Sequence, residues 1–97
     1  MNATSAKRVF DAVLQSGHKQ HACEVPFDPA EIWKTAAAPL WHGRRGHRVR
    51  ATCNGLAFDS AIVARSRRFW LLVEDDVRAR AGWEAGEPLR VELVPAG

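Results

Sequence analysis

An Asn-Gly dipeptide at positions 54 and 55 constrains the fold more than any other feature of the sequence. It joins two runs, residues 47–53 and 56–64, in which apolar and polar side chains alternate. Asn-Gly between alternating runs is typical of a type I′ turn, because both residues tolerate positive φ angles. A two-residue turn fixes the register of a hairpin, so the sequence predicts that Arg50 lies opposite Asp59.

Four more segments are predicted to be strands. They are residues 8–15, 21–25, 69–74 and a last strand that opens at Pro88. Six strands in 97 residues can enclose one core, and closing them into a barrel removes open sheet edges. The sequence therefore predicts one mainly β domain over residues 1–97, a small closed or split β-barrel with two short helices. Residues 1–6 are expected to be a flexible N-terminus.

Both helices are predicted from capping residues. The first is expected over residues 29–38, after an N-cap at Asp28 and before the helix breaker Pro39. The second is expected over residues 75–80 and should end at Gly82.

Basic residues are concentrated in two segments, residues 42–50 and 65–68. Eleven of the fourteen Lys and Arg residues are arginine, whose planar guanidinium suits phosphate and carboxylate groups. The predicted register brings the two segments toward one rim of the barrel. A polyanion is expected to bind there to Arg44, Arg45, Arg48, Arg67 and Arg68. A solvated basic surface without a ligand is the alternative interpretation.

Four tryptophans are many for a chain of this length. Trp33 is predicted to pack its helix onto the barrel, and Trp83 is expected to be partly exposed. Aromatic side chains beside basic ones can stack on bases or line a pocket. The residues expected to line such a pocket are Trp41, His42, His47 and Trp70.

No metal site, cofactor or catalytic residue is predicted. His18, His21, Cys23 and Glu24 include zinc-ligating residue types, but their spacing is not that of a zinc finger. Cys53 falls on the predicted core face, where thiols are inert. No signal peptide or membrane-spanning run is visible, so we expect a cytoplasmic protein whose two thiols are free and buried.

Most of the chain resembles a known family in the order and spacing of its segments. The segments are VPF at 25–27, RVRATCNG at 48–55, WLLV at 70–73, VRARAG at 77–82 and GEPLRVEL at 86–93. They resemble a bacterial and archaeal family of small domains of unknown function, often fused to bacteriocin-protection (OmpD-associated) type domains. The resemblance, strongest over residues 25–93, implies a double-split β-barrel and no established activity.

These observations favour a non-catalytic binding module over an enzyme. The expected partner at the basic rim is nucleic acid, another polyanion or an acidic protein, and no membrane is implied. Two alternatives remain open. One is a small-molecule-binding or enzymatic barrel with a pocket of Trp and Phe side chains. The other is a ligand-free interaction domain, as a monomer or a homodimer.

Overall fold

The computed structural model describes residues 6–17, 20–41 and 43–96, which form seven strands and two helices. The elements are β1 (Arg8–Gln15), β2 (His21–Val25), α1 (Pro29–Trp33), β3 (Ala38–Pro39), β4 (Arg45–Cys53), β5 (Leu56–Arg65), β6 (Arg68–Val73), α2 (Asp75–Ala81) and β7 (Pro88–Pro95). Apart from Ala6, the N-terminus that we expected to be flexible lies outside these residues.

Six strands form a closed antiparallel barrel in the order β4-β5-β6-β2-β1-β7, and β7 closes it by pairing with β4. The seventh strand, β3, pairs with the start of β4 outside the ring. This architecture confirms the predicted mainly β barrel with two short helices.

The β4–β5 hairpin has the predicted turn and register. Asn54 and Gly55 have φ angles of 48° and 88°, the positive values that a type I′ turn requires. Arg50 pairs with Asp59, and Arg50 Nη1 lies 3.1 Å from Asp59 Oδ1. Both side chains are largely exposed, so this ion pair contributes little to stability.

The barrel interior is filled with apolar side chains from alternate strand positions. Eleven of them are at most 1% exposed: Leu14, Cys23, Val49, Ala51, Cys53, Ile62, Leu71, Val73, Leu89, Val91 and Leu93. The barrel therefore encloses a packed core rather than a ligand cavity.

The first of two gaps in the barrel wall lies between β1 and β2. These strands pair at only two positions, Leu14 with Cys23 and Gln15 with Ala22. Aromatic residues around α1 fill the gap. The ring centroid of Phe27 lies 6.1 Å from that of Phe10 and 5.4 Å from that of Trp33. Trp33 Nε1 also donates a hydrogen bond to the Ala6 carbonyl at 2.7 Å, so this helix packs on the barrel as predicted.

The second gap lies between β5 and β6, which pair only from Ile62 onward. Here α2 and the residue after its end cover the core. Trp83 packs edge-to-face on Phe58 with a centroid distance of 6.4 Å, and Val77 of α2 is 6% exposed. Trp83 itself is 7% exposed, so the expectation that it would be partly exposed is wrong.

The first helix is shorter than predicted. It begins after the Asp28 N-cap as expected but ends at Trp33, since Lys34 adopts a left-handed conformation with φ 55°. Pro39 does not stop a helix. Together with Ala38 it forms β3. The alanines before Pro39 favour a helix, but pairing with β4 outweighs that local preference.

The second helix agrees closely with prediction. It extends one residue beyond the expected end, to Ala81, and its C-cap is Gly82 in the left-handed conformation. Its N-cap is Glu74, which makes no side-chain capping hydrogen bond, so Asp75 and Asp76 lie within the first turn.

Candidate ligand-binding cleft

Three residues of the first basic segment hold the chain between α1 and β4 in place. Arg45 Nη2 donates to the Ala37 carbonyl at 3.0 Å, and His47 Nε2 lies 2.8 Å from the Thr35 carbonyl oxygen. Arg48 reaches the Leu40 carbonyl at 3.5 Å, and its guanidinium carbon lies 5.9 Å from the centroid of the Trp41 ring. These three side chains therefore have a structural role.

Two further arginines are paired with carboxylates. Arg50 pairs with Asp59, as predicted, and Arg68 Nη1 lies 3.6 Å from Glu24 Oε1. Within the described ranges, the side chains of Arg44, Arg65 and Arg67 form no hydrogen bond or ion pair. Those three guanidinium groups are available to an anionic ligand. His42 lies outside the described residues.

A cleft of about 770 Å³ lies on the outer wall of the barrel. Its apolar base consists of outward-facing side chains, among them Val63 of β5 and Leu72 of β6, which are each 4% exposed. Among the described residues, its lining consists of Gln15, Ser16, Gly17, Gln20, Ala22, Trp41, Arg44, Val63, Arg65, Ser66, Trp70 and Leu72. Two tryptophans thus converge on one site with two arginines whose side chains have no partner among the described residues.

A tight turn between β5 and β6 positions one side of the cleft. Ser66 and Arg67 both have positive φ, and Val63 pairs with Trp70 across the hairpin. Trp70 Nε1 donates to the Arg65 carbonyl at 3.4 Å. Because alternate residues of β5 face outward, Arg65 lies on the same surface as Val63.

A second tight turn positions the opposite side. The Arg44 amide donates to the Trp41 carbonyl at 2.9 Å, and the Leu40 amide donates to the Arg44 carbonyl at 2.8 Å. These bonds place the Trp41 and Arg44 side chains at the same cleft.

Of the residues predicted to bind or to line a pocket, Trp41, Arg44 and Trp70 line the cleft. Arg45, His47, Arg48 and Arg68 have the contacts described above, and Arg67 extends from the turn beside the cleft. The predicted pocket residues did not include Arg65 or the polar residues of the loop after β1. The alternation of inward-facing and outward-facing residues in β5 could have identified Arg65. No pattern in the sequence predicts that the loop after β1 lies beside β5 and β6.

The two cysteines are core residues, as predicted. Both are fully buried, and neither forms a disulfide. Burial raises the pKa of the Cys23 thiol to about 11. Burial, with a smaller contribution from the nearby Cys23, raises the pKa of the Cys53 thiol to about 12. Both thiols therefore stay protonated near neutral pH, and neither is activated as a nucleophile.

These raised pKa values predict a loss of stability in alkali. The unfolded chain releases the thiol protons near pH 9, whereas the folded protein retains them until about pH 11 to 12. The free energy of unfolding should therefore fall as pH rises above about 8.5, by up to about 1.4 kcal/mol per pH unit for each thiol. Urea denaturation between about pH 8 and pH 10.5 measures this slope.

The control is the variant Cys23→Ala/Cys53→Ala, which should lose most of the alkaline dependence. The chain contains no Tyr, so no phenol titrates in the same range. An identical pH dependence in the parent and the variant would show that the thiols are not its cause.

No group of three or more His, Cys, Asp and Glu residues in the described part of the chain is arranged to hold a metal ion. Of the zinc-type residues considered above, His18 lies outside that part. No helix within residues 6–17, 20–41 and 43–96 is long and apolar enough to cross a membrane.

Comparison with known proteins gives a family but no curated relative. A search of curated proteins found no match. The model of the family described as Domain of unknown function (DUF1905) matches residues 10–93, from within β1 to within β7. That match includes most of β1 and β7 and the whole of every helix and strand between them. The chain therefore belongs to the family Domain of unknown function (DUF1905).

Proposed function

We propose that this protein is a non-catalytic binding module for single-stranded nucleic acid. The observation that carries the proposal is the convergence of Trp41, Trp70, Arg44 and Arg65 on one cleft. Single-strand-binding proteins combine aromatic side chains, on which bases stack, with cationic groups along the phosphate backbone. The cleft has both kinds of group on one apolar base.

The availability of the arginines supports an anionic ligand. Arg44 and Arg65 have no partner for their side chains in the described structure, and Arg67 adds a third such cation at the β5–β6 turn. An unpaired guanidinium can form two parallel hydrogen bonds with a phosphate without first breaking an ion pair. Arg45 and Arg48 add positive charge nearby, although their hydrogen bonds fix them to their own chain.

The size of the cleft is also that of a small-ligand site. Its volume of about 770 Å³ falls in the usual range of small-ligand sites, roughly 300–1,000 Å³. The same observation supports a second candidate function, the binding of a free small molecule that carries a flat ring and an anionic group. Because side chains fill the barrel interior, this candidate also concerns the outer cleft.

The test is fluorescence anisotropy with short single-stranded DNA and RNA, labelled on an internal base, at salt concentrations from about 50 to 200 mM. The variant Arg44→Gln/Arg65→Gln/Arg67→Gln is expected to bind at least about tenfold more weakly at the lowest salt concentration. The slope of its plot of log affinity against log salt concentration should also be less steep by about 2. This is the change expected when a protein loses three phosphate contacts to a single strand.

A matched control removes the same charge elsewhere. Arg50 and Arg90 pair with carboxylates, and Arg80 lies outside the cleft. The variant Arg50→Gln/Arg80→Gln/Arg90→Gln should keep the parent's affinity within about threefold. Equal losses in both variants would indicate a general charge effect and contradict a cleft site. If only a free mononucleotide binds, the second candidate replaces the first.

A further inference from the structure

We infer that the cleft takes the end of a strand and excludes the interior of a strand. This inference rests on the proposed function and specifies which part of the strand binds. It comes from a group of carboxylates at the end of the cleft opposite to the β5–β6 turn.

A recess of about 400 Å³ adjoins the cleft and shares Gln20 and Trp41 with it. The other described residues that line it are Glu74, Asp75 and Asp76, all exposed. A ligand lying along the cleft past Trp41 would therefore meet three carboxylates.

Positively and negatively charged side chains lie at opposite ends of β6. Arg65 pairs with Arg68 where the strand begins, and Glu74 directly follows its last residue. Glu74 lies six positions after Arg68, a distance of roughly 20 Å along an extended strand. That distance exceeds the Debye length of about 8 Å at physiological ionic strength, so each end acts on a different part of a ligand.

The negative end is only partly neutralised. Asp75 Oδ1 lies 3.7 Å from Arg78 Nη2. Glu74 and Asp76 form no ion pair with any described residue. On their far side they share a second recess with Arg50 and Arg80, and Arg50 is already paired with Asp59.

This polarity distinguishes a strand end from a strand interior. A strand that continued through the cleft would bring its phosphates past the arginines and against the carboxylates. A strand that ends in the cleft keeps its last phosphates at the arginine end. Its free hydroxyl can donate a hydrogen bond to a carboxylate at the other end.

The experiment compares three competitors of one sequence against an internally labelled linear probe at about 50 mM salt, where charge effects are least screened. They are a linear DNA strand with hydroxyls at both ends, the same strand with phosphates at both ends, and a circular strand without ends. The phosphorylated and circular strands should compete at least about tenfold more weakly than the hydroxyl-ended strand. General attraction to a cationic protein predicts the opposite for the phosphorylated strand, because it carries more negative charge.

The variant Glu74→Gln/Asp76→Asn tests whether the carboxylates cause the preference for hydroxyl-ended strands. Glu74 makes no side-chain capping bond and Asp75 remains, so α2 should be kept, and circular dichroism checks this. In the variant all three competitors should bind within about twofold of one another. Equal competition by all three in the parent protein overturns the inference while leaving single-strand binding intact, and so does a preference for hydroxyl ends that persists in the variant. If no strand binds the parent protein, the proposed function fails as well.

Discussion

Replacing Trp83 by alanine is expected to lower the free energy of unfolding by about 3–5 kcal/mol, the usual range for a buried aromatic residue. Trp83 covers the gap that opens where β5 diverges from β6, and its ring packs on Phe58. Its backbone amide and carbonyl oxygen both bond to Arg78, which fixes the end of α2. Urea denaturation followed by far-UV circular dichroism measures the loss.

Two variants keep this prediction testable if Trp83→Ala does not fold, since a domain of this size has only about 5–15 kcal/mol of stability. Trp83→Phe retains a ring and should recover part of the loss. Trp70→Ala removes the same side chain from the outer wall, where it is only half-buried, and should cost about 1 kcal/mol. Similar losses for Trp83→Ala and Trp70→Ala would contradict the role assigned to Trp83 in covering the gap.

Replacing Gly46 by alanine is expected to lower the free energy of unfolding by about 2–3 kcal/mol through overpacking. Gly46 is buried in β4 opposite Ala38 of β3. A methyl group there would overlap the Ile62 carbonyl oxygen, far inside the van der Waals contact distance, and would lie 2.9 Å from Leu40 Cδ1. The Ile62 oxygen belongs to the backbone of β5 and cannot rotate away, so a strand must shift.

The matched control is Gly43→Ala, in the same segment. There the added methyl group would meet no atom within 4 Å, and only the positive φ of 72° opposes it, which costs about 1 kcal/mol. Gly46→Ala should also weaken binding at the cleft, because Leu40 directly precedes Trp41. A Gly46→Ala protein as stable as Gly43→Ala would show that β3 and β4 adapt to the methyl group without cost.

The barrel strands could be predicted because each depends on a local pattern. Alternation in β1 and the Asn-Gly turn of the β4–β5 hairpin are encoded within about ten residues. The length of α1 could not be predicted in this way. Residues 34–37 have helical composition, yet the side chains of Arg45 and His47 bond to the carbonyls of that stretch. Such contacts between distant parts of the chain are not visible in a local pattern.

The candidate site was predictable only in its residue types. Trp41, Arg44 and Trp70 were identified from their neighbourhood in the sequence, and all three line the cleft. The expected basic rim included Arg45 and Arg48, which the structure ties to the preceding loop. Whether an arginine is available to a ligand depends on which carbonyl oxygens surround it, and that follows from the tertiary structure alone.

The pairing of β1 with β7 has a consequence for protein engineering. Arg8 lies opposite Leu93, so the chain enters and leaves the barrel at neighbouring points. A short linker could join these points, and new termini could be opened at the Asn54–Gly55 turn without breaking any strand. The whole barrel could also be inserted into an exposed loop of a host protein, because its first and last strands begin and end side by side.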